Sequence, residues 1–187
     1  MKPIFNVFAI VVILSFVGCK SGSESKNMSA ADVISTEAPM VGQSGVKDDV
    51  SSPNIVQVAV GSKDHTTLVA AVQAAGLVDA LSNAGPFTVF APTNDAFAKL
   101  PAGTVEGLLK PEKLADLKSI LEYHTYVGTL KTDYMDDGQS FEQVNGGKVS
   151  ISKKDGKVMV NGKATILASI PTSNGIIHVI DEVLLPQ

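Results

Sequence analysis

Three dipeptides dictate most of what the C-terminal half of this chain can become. Asn145-Gly146, Asp155-Gly156 and Asn161-Gly162 each join a residue that tolerates left-handed backbone to one that favours it. That is the chemistry of tight β-hairpin turns. Between and beyond them lie Val149 to Ile151, Val158 to Val160 and Ala164 to Leu167, short stretches of mostly β-branched and apolar residues. Short strands joined by tight turns must run antiparallel, because a parallel return needs a crossover of a dozen or so residues. Asn174-Gly175 then leads into Ile176-Ile177-His178-Val179-Ile180, an apolar run suited to a buried strand, and Val183-Leu184-Leu185 closes the chain.

Ahead of this meander the pattern is helical. Leu68, Val69, Val72 and Ala75 recur at helical spacing, with Gly76 as a stop. Leu77 to Leu81 continues as a second short helix, and Phe87-Thr88-Val89-Phe90 reads as a short strand. Thr93 is placed to cap a helix through Phe97, with Asp95 in its first turn and Pro101 near its end. Pro111 starts another, with Leu114, Leu117 and Leu121 on one stripe. Helices first and a meander afterwards define an α+β domain.

The N-terminus reads differently. Lys2 precedes an apolar run from Ile4 to Val17, followed by Gly18 and Cys19, the one cysteine of the chain. A positive start, a short apolar stretch and a small residue describe a secretory signal. The run falls short of the roughly 20 residues a spanning helix requires. Phe16-Val17-Gly18-Cys19 resembles the lipobox of bacterial lipoproteins. The resemblance implies cleavage after residues 1–18 and acylation of Cys19, so that the protein is held to a membrane. Lys20, where an inner-membrane retention signal would place aspartate, points to the outer membrane. An ordinary cleaved signal leaving a free thiol is the alternative. Residues 19–52 are rich in serine, glycine and charge without lasting periodicity, and read as a lipidated start and flexible tether. The folded part is then residues 53–187, enough for one domain.

Several classes of function find no support. The formal net charge is −4 and the chain contains no arginine, which removes the cationic surface and the usual base reader of a nucleic-acid binder. There is no G-x-S-x-G elbow, no P-loop and no dinucleotide glycine motif. Neither an enzyme nor a bound cofactor is expected. Asp133, Asp136, Asp137 and Glu142 cluster around Gly138 but lack the alternating ligands of a calcium loop, so a turn of solvated acids is expected and no metal. Lys153, Lys154 and Lys157 flank a turn and read as charge that keeps a sheet edge soluble.

Three segments together resemble the fasciclin domain family: Gly85 to Phe97 (GPFTVFAPTNDAF), Ile120 to His124 (ILEYH) and Asn174 to Pro186 (NGIIHVIDEVLLP). They occur in the family's order and spacing, and the resemblance covers Pro53 to Gln187. It implies an antiparallel β-wedge with several short helices packed against it, in proteins that are secreted or surface-attached and serve in adhesion. It also implies a partner-binding role for Tyr123 and His124, the positions of the family's Tyr-His pair. From the residues alone, His124 and His178 admit another reading: buried groups, hydrogen-bonded to fix a junction. His65, in a polar approach to a helix, reads as solvated or capping.

The expected function is therefore adhesion through an unknown protein or polysaccharide ligand, with the membrane reached through Cys19. The alternative is an envelope carrier of a small apolar ligand, held between the helices and the strand wedge.

Overall fold

The computed structural model of the protein describes residues 52–186. The apolar leader, Cys19 and nearly all of the expected tether lie outside the described residues. Among the latter, no helix is long and apolar enough to cross a membrane.

Helices begin where short polar side chains can satisfy their free backbone N–H groups. Asn54 opens α1 (Ile55–Gly61): its Oδ1 accepts from Gln57 N at 2.9 Å, and Gln57 Oε1 accepts from Asn54 N at 2.8 Å. α2 (Thr66–Ala74) is stopped by Gly76, whose φ of +67° suits glycine, and α3 (Val78–Ser82) follows. Thr93 caps α4 (Asn94–Ala98) by accepting from Ala96 N at 3.2 Å, and α5 (Thr104–Leu108) starts after Gly103. Pro111 opens a 3-10 turn that leads into α6 (Leu114–Tyr123), where Leu117 and Leu121 face the core.

The sheet has β1 (Phe87–Pro92), β2 (Thr125–Val127), β3 (Ser140–Glu142), β4 (Lys148–Lys154), β5 (Lys157–Val160), β6 (Ala164–Thr172) and β7 (Gly175–Ile180). Their spatial order is β2-β1-β7-β6-β5-β4-β3. The strands from β3 to β7 form an antiparallel meander, of which β4 to β6 were expected as such. Asp155 and Asn161 take φ of +51° and +55° at two of its turns. β1 lies parallel to β7, Val89 beside Ile177, so the sheet is mixed. Local turns set the meander, but a strand returning from distant sequence can dock in either direction.

β1 and β7 are interior strands covered on both faces, which explains why all but the first residue of each is buried, Thr88 and His178 included. Val89, Ala91, Ile177 and Val179 pack one way against α1, α2 and α6. Phe90 and Ile180 pack the other way, with Tyr123, Met135, Val149, Ile151 and Val160. The domain thus has two cores separated by two strands. Val183-Leu184-Leu185 forms no strand; Leu184 is buried as an anchor in the second core.

Candidate functional site

Between α1, α2, α3 and the first face of the sheet lies a cavity of about 430 Å³. α1 supplies one wall with Ile55, Val56 and Ala59, and the sheet supplies Val89, Ala91 and Ile177. No Lys, Asp, Glu or His lines it. Of its polar residues, Thr125 donates its hydroxyl to Leu121 O at 3.0 Å and Gln57 is engaged at the α1 cap. The cavity is not sealed: Val60, Gly61 and Gln73, all exposed, stand on its lining, so it opens to solvent along α1 and α2. Its walls are almost wholly apolar, so water inside it finds few polar partners. The space is chemically suited to an apolar guest, and it cannot hold a metal ion.

An apolar pocket between helices and strand wedge was the alternative expectation; its α1 wall was not foreseen. Ile55, Val56, Val58 and Val60 are β-branched and alternate like a strand. The signal that could have found it is the spacing of Asn54 and Gln57, a capping box.

Tyr123 and His124 stand where α6 enters β2, and both are only 2% exposed. Tyr123 donates its hydroxyl to Lys148 O at 2.8 Å and accepts from Asn161 Nδ2 at 3.1 Å. His124 Nδ1 lies 2.7 Å from Ile120 O, and Nε2 accepts from Leu184 N at 2.9 Å. Both bonds together require the neutral ring with its proton on Nδ1. Burial pushes the His124 pKa down to about 4, against a smaller opposing pull from the Ile120 carbonyl. These side chains tie α6 to the meander and to the C-terminal segment, and both are turned inward in the free domain. The junction reading of His124 describes what is found.

His178 behaves likewise. It is enclosed between Ser169 Oγ at 2.8 Å and Leu130 O at 2.7 Å, stacks obliquely near Phe90, and has its pKa lowered by burial. His65 is buried rather than solvated; its Nδ1 meets Ser62 Oγ at 2.8 Å and burial lowers its pKa. Asn94 reaches back to cap α2, accepting from Thr67 N at 3.1 Å, so the Thr93-Asn94 pair serves two helix starts. Asn174, read as a turn residue, is a buried hub. Its Oδ1 accepts from Ile55 N at 2.9 Å, and its Nδ2 donates to Leu81 O and Asn83 O at 2.8 and 2.9 Å.

The acidic turn is structural as well. Asp137 Oδ1 accepts from Lys153 N at 2.8 Å, and Gln139 bridges to Asp136. Among the described residues no group of three or more His, Cys, Asp or Glu converges as a metal site. Cys19 lies outside the described residues.

With cavity, junctions and topology in view, comparison with known proteins gives the class. The fasciclin domain profile matches residues 63–186. Protein sll1483 of Synechocystis is 46% identical across 95% of this chain and 96% of its own length. Cell surface glycolipoprotein MPB83 of Mycobacterium bovis is 38% identical over 110 residues, 59% of this chain and 48% of that protein. The FAS1 domain pair of the insect cell adhesion molecule Fasciclin I superimposes with a TM-score of 0.62 at 19% identity, over 73% of this chain. That match spans about half of the insect chain, 52%, and concerns the fold. This chain belongs to the fasciclin domain family. The family is one of cell-surface, adhesion-type proteins rather than of enzymes.

Proposed function

We propose that this chain is exported, is held to the outer membrane through acylated Cys19, and mediates adhesion by binding a protein or polysaccharide ligand with its domain at residues 53–187. The observation that carries the reading is membership of an adhesion-type family combined with the burial of the family-motif side chains Tyr123, His124 and His178. With those groups engaged internally, a partner meets other side chains. Tyr134, Val127 and Leu167 are large apolar residues at 71%, 64% and 58% exposure, and tyrosine is a residue type that anchors contacts. The test is saturable binding of the immobilised chain to purified envelope polysaccharide and to purified surface proteins. Binding that weakens in Tyr134→Ser or Leu167→Ser supports the reading; no saturable binding to either class refutes it.

A second reading, carriage of a small apolar ligand, is favoured by the cavity beneath α1.

A further inference from the structure

We infer that the cavity walled by α1 is a binding site for an uncharged, hydrocarbon-rich molecule. The inference rests on the carrier reading and adds the ligand's chemistry. At about 430 Å³ the cavity falls within the roughly 300–1,000 Å³ of small-molecule sites. Its walls come from four helices, α1, α2, α3 and α6, and from β1, β2 and β7, so it is built against the core.

Charge decides the ligand class. A carboxylate or phosphate inside the cavity would face Ile55, Val72, Val89 and Ile177 with no cation among the lining residues. An ammonium group would find no carboxylate. An unpaired charge is strongly disfavoured in such surroundings. The polar lining groups are neutral, and two of them are engaged: Thr125 with Leu121 O and Gln57 with Asn54 N. Gln73, exposed and on the lining, can meet one neutral polar group such as a hydroxyl or carbonyl. The fitting ligand is therefore a neutral lipid or terpenoid-like molecule rather than a fatty acid.

The test titrates the purified full chain with diphenylhexatriene, a neutral apolar fluorophore, and competes it with cetyl alcohol or palmitate at pH 8. The expected result is saturable binding at one probe per chain, displaced by the alcohol at least about tenfold more tightly than by the carboxylate. Ala59→Phe, which puts a ring into the cavity from α1, should weaken the probe by about tenfold or more. Should that variant not fold, NMR of the wild-type chain with the probe should show perturbed amides confined to α1, α2, α3 and the facing strands. Equal displacement by palmitate overturns the uncharged class and leaves carriage standing. Absence of saturable probe binding overturns both. Perturbation confined to the β3–β5 end of the sheet overturns the location.

Discussion

His124 makes the folded domain sensitive to acid, and the size of the effect follows from its surroundings. The unfolded chain protonates it near 6.5, while the folded chain holds it at about 4. The unfolded state therefore binds the proton more readily between these values, and stability falls as pH falls. The contribution is intact above 6.5, declines through the interval and is fully lost below about 4. At about 1.4 kcal/mol per pH unit the whole interval is worth about 3 kcal/mol, of which about 2 kcal/mol is lost between pH 7 and pH 5. The cause is burial, which disfavours the charged ring; a proton on Nε2 would also confront the Leu184 N–H that Nε2 now accepts. The assay is urea unfolding at both pH values for wild type and His124→Gln. The variant is expected to be less stable at pH 7, yet to lose about 2 kcal/mol less than wild type on acidification. His178 and His65, also lowered by burial, are present in both proteins and cancel in the comparison. An equal acid-induced loss in the two proteins would refute the reasoning.

Other perturbations test other parts of the structure. Asn174→Ala strips partners from Ile55 N, Leu81 O and Asn83 O; at about 1–3 kcal/mol for an orphaned buried group, a loss of at least about 3 kcal/mol is expected in urea unfolding. A loss below about 1 kcal/mol would show that the hub is not needed. Gly175→Ala would drive a Cβ into the Phe87 carbonyl where β1 meets β7, whereas a Cβ at Gly146 meets nothing within 4 Å. Gly175→Ala should therefore abolish soluble folded protein, and Gly146→Ala should cost only the strain of its +83° φ, about 1 kcal/mol. Similar melting temperatures for the two would count against the close crossing. Cys19→Ser should move the exported protein from the membrane to the soluble fraction and remove the acyl mass from its N-terminus. Retention of either property would exclude Cys19 as the anchor.

Much of the fold was legible because it is encoded locally. Asn145-Gly146, Asp155-Gly156 and Asn161-Gly162 sit at hairpin turns, since their backbone preference needs no tertiary help. Thr93 caps its helix, and Gly76 ends α2, for the same reason. Three short elements, β2, β3 and α5, were not legible, because three to five residues carry too little periodicity. α1 was not legible because its β-branched sequence mimics a strand, and so the expected apolar pocket lacked one of its walls.

The amino-acid order by itself determined the hairpins of the antiparallel meander, the helix starts at Thr93 and Pro111 and the family, all through interactions spanning a few residues or through motif. Tertiary structure alone decided that β1 runs parallel to β7, that Asn174 ties α1 to the loop after α3, and that Tyr123 and His124 face inward. Each of those outcomes depends on contacts between residues tens of positions apart, from Leu184 on His124 to Ile55 on Asn174. The energy of such contacts comes from burial and from hydrogen bonds made out of reach of water, and a residue's burial is set only when the distant segments have packed over it.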